Sequence, residues 1–212
     1  MNILNLGYLS TNYYLLDNGR TTLLADAGWP GTLGRFRQIL QAKKVAITSI
    51  HYFFVTHFHP DHAGLVQELK DLGVKFILLK EQEYAIPLMR RYIKPGIHYA
   101  SIQSSGTLLL PIADSRSFLQ NLGFAGEFVL TPGHSDDSVT LVLDSGEAFT
   151  GDLQLGMPDE DNPSFCQSRQ KLIDMGVSRI YPGHGPEAIP IPPSGATLIP
   201  PSPSRVETGI SA

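Results

Sequence analysis

The chain has 212 residues, of which 42% are hydrophobic and 17% are charged, and its formal net charge is -4. This balance is typical of a globular chain with enough apolar residues for one substantial core. The negative charge argues against a nucleic-acid partner, because surfaces that bind phosphates are basic. The single cysteine, Cys166, excludes an intrachain disulfide, and no apolar run approaches the ~20 residues of a membrane span. We therefore expect one domain with neither a nucleic-acid nor a membrane partner.

The two ends of the chain differ from its middle. The N-terminal sequence has neither the basic segment nor the long apolar segment of a signal peptide, so we expect a cytoplasmic protein. From residue 190 onward, prolines recur among small and polar residues, a composition typical of an extended tail. The predicted organisation is a domain over residues 1–189 and a proline-rich tail over residues 190–212.

Hydrophobic spacing and turn signals predict alternating strands and helices along the domain. In chain order, the predicted elements are strands at 3–9, 12–17 and 21–25, a helix at 32–42, a strand at 52–56, a helix ending near 73, a strand at 74–79, a helix at 81–94, a strand at 107–112, a helix at 115–122, strands at 127–130, 139–143 and 148–150, a helix at 167–175 and a strand at 179–181. Asn18-Gly19 is a strong hairpin signal. Strands mixed with helices in this way favour sheets covered by helices.

Four possible metal ligands follow the strand at 52–56 within six residues, and they are His57, His59, Asp61 and His62. His57 and His59 lie two residues apart, so they share one face of an extended segment. Asp61 and His62 come after the turn and can reach a second point nearby. Imidazole nitrogens and carboxylate oxygens are donors that zinc, iron and manganese accept. The pattern therefore predicts a metal site.

Three further polar residues each follow an apolar strand and lie next to glycine, and they are His134, Asp152 and His184. Glycine allows a sharp turn and a close approach of the backbone to a bound ion. Taken singly, each position is also compatible with an ordinary turn or a helix cap. Together with the first group they make five histidines and two aspartates, which is enough for two metal ions.

This ordered set of motifs resembles the metallo-β-lactamase fold superfamily of hydrolases over about residues 2–189. The resemblance implies an α+β fold, a four-layer αββα sandwich with its site at one edge between two sheets. It implies a first metal ion held by three histidines, which are His57, His59 and His134. It implies a second ion held by Asp61, His62 and His184, with Asp152 bridging both ions. Asp26 matches an aspartate at a strand end that supports the ligand loops in that family.

The resemblance also implies hydrolysis by a metal-held hydroxide. A metal ion lowers the pKa of its bound water to ~7, and two ions ~3.5–4 Å apart hold hydroxide while they polarise the electrophile. We expect two divalent ions, with zinc first and manganese or iron as alternatives, and a catalytic role for Asp61. The expected partner is a small molecule, an ester, thioester, lactone, amide or phosphodiester. The chain has no Gly-x-Ser-x-Gly nucleophile motif.

Within the superfamily, the sequence favours the branch of glyoxalase II and the lactonases over secreted β-lactamases. Asp152 stands where secreted β-lactamases usually have cysteine or serine, although Leu155 stands where lactonases often have tyrosine. The predicted tail is too short for the glutathione-binding helical domain of glyoxalase II. An alternative is a persulfide dioxygenase that binds one non-haem iron through His57, His134 and Asp152. A third possibility, a non-catalytic scaffold, conflicts with the intact ligand set.

A basic and aromatic stretch over residues 84–99 lies between the two halves of the domain. Its notable members are Tyr84, Met89, Arg90, Arg91, Tyr92, Lys94, His98 and Tyr99. The stretch is either a lid that meets an anionic substrate or a solvated helix face. Trp29 and Phe58 are either pocket walls or packing residues. The sequence also leaves a homodimer open.

Overall fold

The computed structural model describes residues 1–153 and 162–191. Its strands are β1 (Asn2–Asn5), β2 (Tyr14–Asp17), β3 (Thr22–Ala25), β4 (Tyr52–Phe54), β5 (Lys75–Leu79), β6 (Thr107–Leu110), β7 (Gly126–Leu130), β8 (Val139–Leu143), β9 (Glu147–Gly151), β10 (Arg179–Pro182) and β11 (Ile189–Pro190). Its α-helices are α1 (Leu33–Ala42), α2 (Pro60–Ala63), α3 (Val66–Asp71), α4 (Ile86–Met89), α5 (Ser115–Leu122) and α6 (Pro163–Asp174). No helix within the described ranges is both long enough and apolar enough to cross a bilayer.

The strands form two sheets. The first has the order β1-β2-β3-β4-β5-β6, and the second has the order β11-β10-β9-β8-β7. In the first sheet β1 to β3 are antiparallel, as the Asn18-Gly19 turn predicts, whereas β3 to β6 are parallel. In the second sheet β9 and β10 are also parallel. Parallel strands end at the same edge of a sheet, so the segments that follow them lie side by side.

The buried side chains divide into three layers, which confirms the predicted αββα sandwich. The central layer joins both sheets and includes Phe54 of β4 and Phe128 of β7, whose ring centroids are 4.7 Å apart. One outer layer packs α1 and α3 against the first sheet, with Phe36 and Leu69 fully buried. The other packs α6 against the second sheet through Leu172. Burial of apolar area on both faces of each sheet stabilises this arrangement.

Three predicted helices differ from the structure. The helix predicted to end near residue 73 is divided into α2 and α3. The predicted helix at 81–94 is instead a 3₁₀ turn over Lys80–Ala85, the short helix α4 and a second 3₁₀ turn over Arg90–Tyr92. Pro87 lies in the first turn of α4, where its missing N–H is tolerated, so the proline starts a new helix. Helix α6 begins four residues before the predicted start at 167. The Asn162 side chain caps it by accepting from the Phe165 N–H at 3.1 Å.

The proposed boundary between domain and tail falls close to a strand. Pro190 lies in β11, which pairs antiparallel with β10, and the Ile191 N–H donates to the Ser178 carbonyl at 2.8 Å. The rest of the predicted tail, residues 192–212, lies outside the described residues, as does Leu155. The division into a domain and a tail therefore stays a prediction.

Candidate metal centre

The predicted ligands meet at one edge of the sandwich, where strands of both sheets end. The first sheet supplies His57 and His59 after β4, and Asp61 and His62 from α2. The second sheet supplies His134 after β7, Asp152 after β9 and His184 after β10. The first and the last of these seven residues, His57 and His184, are 127 residues apart in the sequence. The two sheets bring the seven side chains together in two groups.

The first group contains His57, His59 and His134. One ligand atom from each lies within 4.8 Å of the other two. His134 Nε2 is 3.0 Å from His59 Nδ1, so both nitrogens face the same point. His57 is fully buried, whereas the His134 side chain is 32% exposed. The group therefore opens from the protein interior towards solvent on the His134 side.

The second group contains Asp61, His62, Asp152 and His184, with the same limit of 4.8 Å between ligand atoms. His184 Nε2 lies 3.0 Å from Asp61 Oδ2, and His62 Nε2 lies 3.1 Å from Asp152 Oδ1. The other oxygen of Asp152 reaches the first group, at 3.3 Å from His134 Nε2 and 3.9 Å from His57 Nε2. Asp152 thus contacts side chains of both groups.

The donor atoms fit a pair of cations. His57 Nε2, His62 Nε2 and Asp152 Oδ1 are buried and have no hydrogen-bond partner among the described residues. Buried polar atoms nearly always have a partner, so three such atoms facing one another call for a ligand. Nitrogen and carboxylate oxygen are the donors of zinc and iron sites in proteins. The residues present therefore fit two divalent ions.

The environment shifts the pKa values of the histidines in opposite directions. Burial lowers the pKa of His57 well below its ordinary value, and it also lowers the pKa of His134. Burial acts in the same sense on His62, but the carboxylates of Asp26, Asp152 and Asp61 outweigh it and raise the pKa well above 6.5. Hydrogen bonds to Asp152 and Asp61 raise the pKa of His184 to about 10. The lowered pKa values favour neutral imidazoles at His57 and His134, whereas the histidines of the second group attract protons.

The two aspartates of the second group are held as carboxylates. Burial alone would raise their pKa values, but the imidazoles of His184 and His62, which lie 3.0 to 3.4 Å away, lower the pKa of both Asp61 and Asp152 far below 3.8. A deprotonated carboxylate is the form that ligates a metal ion. Both residues therefore keep their donor form over the physiological pH range.

Asp26 and Thr56 support the histidines from behind. Asp26 Oδ1 accepts from the Thr56 N–H at 2.7 Å, and Asp26 Oδ2 accepts from His62 Nδ1 at 2.8 Å. The Thr56 hydroxyl bonds to Asp26 and lies 3.1 Å from His57 Nδ1. With Nδ1 engaged in this way, Nε2 of each imidazole is directed to the ligand groups. The structure places Asp26 where the resemblance put a supporting aspartate.

Two glycines allow the ligand loops to approach closely. A Cβ on Gly151, which has φ +54°, would lie 2.3 Å from the Thr56 hydroxyl oxygen. A Cβ on Gly183 would lie 2.6 Å from His62 Cε1 and 2.7 Å from Asp152 Oδ1. No side chain fits at these distances, so the glycines beside Asp152 and His184 are required by space.

Buried hydrogen bonds through Gln82 and Asp137 join the two sheets beside the site, and the sequence did not predict this polar clamp. The Gln82 amide donates to the carbonyls of Thr56 at 3.1 Å and Asp137 at 2.9 Å. Asp137 Oδ2 accepts from the Phe58 N–H at 2.7 Å, between the ligands His57 and His59. Asp137 lies three residues after His134, and this spacing was the one signal in the sequence. Gln82 gave no signal, because its partners are 26 and 55 residues away.

The segment between β1 and β2 was also missed as part of the site. The Thr11 hydroxyl donates to Asp61 Oδ2 at 3.2 Å, and the Tyr13 hydroxyl donates to the Asp61 carbonyl at 3.0 Å. The Asn12 N–H donates to the Gly183 carbonyl at 2.7 Å. His184 Nδ1 lies 2.5 Å from the Ser10 carbonyl. The sequence indicates only a break between two strands at Ser10 and Thr11, and it places Asn12 and Tyr13 in the predicted strand at 12–17. In the structure these residues hold Asp61 and His184 in place.

Only some residues of the predicted lid stretch, residues 84–99, lie beside the site, and others are packed in the core. Tyr84 and Tyr92 line a cavity of about 310 Å³ together with Phe58, His59 and His134. The Tyr92 ring centroid is 5.2 Å from that of His59. Met89 is fully buried in the core, and the Tyr99 hydroxyl lies 3.8 Å from its sulfur. These two residues are therefore packing residues.

The charged residues of the stretch are exposed, whereas the two other aromatic candidates, Trp29 and Phe58, each line a cavity. Arg90 reaches Ser101 at 3.5 Å, and Arg91 and His98 are exposed. Lys94 lines a second cavity with Trp29. Phe58 is a buried core residue that also lines the first cavity. Contact of Arg90 and Arg91 with an anionic substrate stays a prediction.

Comparisons with known proteins agree on the family. The model of the metallo-beta-lactamase superfamily matches residues 6–186. A beta-lactamase-like protein 2 homolog of Drosophila melanogaster is 32% identical over 181 residues, which are 82% of this chain and 58% of that protein. An atrochrysone carboxyl ACP thioesterase of Aspergillus fumigatus is 32% identical over 183 residues, which are 82% of this chain and 50% of that protein. The chain thus spans between half and three fifths of these relatives.

A solved structure agrees in fold. The crystal structure of TTHA1623 in a di-iron-bound form superposes with a TM-score of 0.66 and covers 90% of this chain and 94% of that chain. The sequence identity is 22%, so the likeness concerns the fold alone. The family match covers strands β2 to β10 and all seven grouped side chains. This chain belongs to the metallo-beta-lactamase superfamily.

Proposed function

We propose that the chain is a metal-dependent hydrolase that binds two divalent metal ions and cleaves an ester or thioester. His57, His59 and His134 would hold one ion, and Asp61, His62 and His184 would hold the other. Asp152 would bind both ions. Zinc is the ion that we expect, because histidine nitrogen and carboxylate oxygen are its common ligands.

The observation that carries the proposal is the position of Asp152. Its two oxygens lie within 3.4 Å of His62, His134 and His184, which belong to both groups. A structural aspartate needs one partner, whereas this one is surrounded by imidazoles directed at it from two sides. That arrangement supports a shared ligand and thus a dinuclear site.

When bound, the ions would supply a hydroxide at neutral pH and polarise the carbonyl of the substrate. In the reaction, water adds to the acyl carbon, the acyl–oxygen or acyl–sulfur bond breaks, and the leaving alcohol or thiol takes up the proton. The chain's own residues keep the geometry fixed. Asp26 orients His62, the Ser10 carbonyl orients His184, and Asp137 fixes the backbone between His57 and His59.

The names of two relatives support an acyl ester or thioester as the substrate. The Aspergillus fumigatus relative is named as a thioesterase, and a second thioesterase, from Emericella nidulans, is 28% identical over 198 residues. Both proteins are about twice as long as the matched segment, so their own substrates are not carried over. Only the type of bond that is cleaved, an acyl ester or thioester, is transferred from these relatives to the proposal for this chain.

The persulfide dioxygenase alternative uses only part of the site. His57, His134 and Asp152 do lie together, with 3.3 Å between His134 Nε2 and Asp152 Oδ2. That reading leaves His59, Asp61, His62 and His184 without a role, although His62 and His184 contact the same carboxylate. Oxygen consumption with a persulfide, in protein loaded with one iron, would revive it.

The experiment compares metal-loaded and metal-free protein on a thioester. The protein is stripped with a chelator, reloaded with zinc, and assayed with acyl thioesters by the appearance of free thiol. We expect turnover that needs zinc and that falls at least ~100-fold in Asp61→Ala, because loss of a catalytic ligand removes most transition-state stabilisation. Asp71→Ala, a change of the same kind at an exposed aspartate, serves as the control.

Two outcomes would contradict the proposed function. One is full activity in the presence of excess chelator. The other is a protein that binds two zinc ions and remains inactive on esters, thioesters, lactones and phosphodiesters alike.

A further inference from the structure

We propose that an apolar cavity beside the metal centre binds the acyl group of the substrate, so that the enzyme selects esters or thioesters with extended apolar acyl chains. This inference rests on the proposed function and names its substrate class. The cavity has a volume of about 320 Å³, at the lower end of the range for ligand-binding pockets. Its walls include Leu9, Trp29, Pro60, Tyr92 and Ile97.

The cavity adjoins the metal centre through three of its wall residues. Pro60 lies between the ligands His59 and Asp61 in the chain. The Tyr92 ring contacts His59, with centroids 5.2 Å apart. Leu9 precedes Ser10, whose carbonyl contacts the ligand His184. An acyl chain in this cavity therefore has its carbonyl end beside the side chains that would hold the ions.

Three large apolar side chains of the cavity wall are exposed to solvent. Leu9 is 78% exposed, Tyr92 is 59% exposed and Ile97 is 49% exposed. Large apolar side chains grouped around one concave surface mark a site for an apolar ligand. Lys94 is the charged residue of this wall, and it is exposed, so its ammonium group can stay in solvent.

The backbone at Leu9 supports the same conclusion. Leu9 has φ +56°, a left-handed conformation that bulky residues rarely adopt. Glycine or asparagine adopts this conformation at a lower conformational cost. The turn itself therefore does not explain why an exposed leucine is present. Non-glycine residues in this conformation are enriched at ligand sites. Here this conformation projects an apolar side chain into the cavity wall.

A second, polar cavity lies on the other side of Tyr92. Its walls include His59, Tyr84, His134 and Asp136, and its volume is about 310 Å³. Tyr92 lines both cavities. The site therefore offers an apolar face and a polar face on either side of one ring. The acyl group fits the apolar side, and the polar alcohol or thiol portion fits the other.

The test measures acyl-chain preference in zinc-loaded protein with thioesters from acetyl to octanoyl. We expect kcat/KM to rise about fourfold for each added methylene until the cavity is filled, because each buried methylene gains transfer free energy. Ile97→Glu places a charge in the wall and should lower the octanoyl-to-acetyl ratio at least tenfold. Leu109→Glu is the matched control, since Leu109 is also 49% exposed but lines a different cavity.

Binding provides a readout that does not depend on turnover. Trp29 is the only tryptophan of the chain, so its fluorescence reports on this cavity alone. Octanoate should shift the emission to shorter wavelength in the wild type and in Leu109→Glu. The shift should be lost in Ile97→Glu. Leu9→Glu, at a highly exposed position, provides a second variant if Ile97→Glu does not fold.

The two proposals fail in different ways. Hydrolysis with equal kcat/KM for all chain lengths, and no fluorescence change with octanoate, would overturn the acyl cavity and leave the hydrolase standing. An octanoate-dependent shift that Ile97→Glu abolishes, in a zinc-loaded protein without any hydrolysis, would support the cavity and overturn the proposed function.

Discussion

Asp26 shows how much of the site depends on one side chain that would not itself touch a metal ion. Its carboxylate accepts from the Thr56 N–H and from His62 Nδ1, and it does so from a left-handed backbone with φ +68°. Aspartate and asparagine tolerate this conformation better than other residues. The strand-end position was visible in the sequence, but the contact with His62, 36 residues away, was not.

Asp26→Asn should weaken the second metal ion while the fold is retained. The amide keeps the size and the backbone preference of aspartate, but its NH₂ group makes His62 Nδ1 an acceptor. His62 Nε2 then carries the proton and can no longer bind a metal ion. We expect the affinity for the second ion to fall about 10–100-fold, as for other changes behind a ligand, measured by competition with a chelating dye.

The control for this change is Asp71→Asn, because Asp71 is an exposed residue of α3 that accepts from the Gln67 side chain and belongs to neither ligand group. An unchanged affinity for the second ion in Asp26→Asn would contradict the orienting role of Asp26.

The predicted ligands lie after strand ends, and the turns there set the distances between the grouped side chains. The sequence predicted this correctly in outline, since glycine beside His134, Asp152 and His184 marked each turn. It could not predict Gln82, which lies in the 3₁₀ turn over Lys80–Ala85 rather than in the predicted long helix. Periodicity shows which residues are buried, but it does not show which carbonyls a buried amide will meet.

Gln82→Met should destabilise the protein without changing its fold. Methionine matches glutamine in size, but it leaves the carbonyls of Thr56 and Asp137 without the amide donor. Because the site is buried, we expect a loss of about 1–3 kcal/mol in the free energy of unfolding, measured by urea denaturation of chelator-treated protein. Gln38→Met, on the exposed side of α1, should change it by less than about 0.5 kcal/mol. A loss in Gln82→Met no larger than in this control would refute the clamp.

At the level of the whole molecule, the centre joins the two sheets. Four of the seven grouped side chains follow the first sheet, and three follow the second. The family and the layer order could be predicted, because the order of the motifs and the alternation of strands and helices are both visible in one sequence. The cavities could not, because Leu9, Pro60 and Tyr92 come from three separate segments that meet only in the fold.

Metal binding should therefore stabilise the folded protein, and more so as the pH rises. The pKa of His184 is raised to about 10, so at neutral pH a metal ion must displace its proton. This proton stabilises the metal-free fold below pH 6.5, and its contribution is lost as the pH rises through about 10. Each pH unit in this window should increase the metal-induced rise in Tm by roughly 3–5 °C.

Calorimetry with zinc and with chelator at pH 6, 7 and 8 checks this expectation. His184→Asn removes one of the two histidines of the second group whose pKa is raised, the other being His62, and should reduce the dependence on pH. The same slope in the wild type and in His184→Asn would show that His184 is not the residue that loses the proton.

The most direct measurement is elemental analysis of protein purified without added metal, together with its Asp61→Ala variant. We predict about two zinc ions per chain in the wild type and about one in the variant, because Asp61 belongs to one group only. One iron per chain in the wild type, unchanged in the variant, would contradict the dinuclear site and point to the dioxygenase chemistry instead.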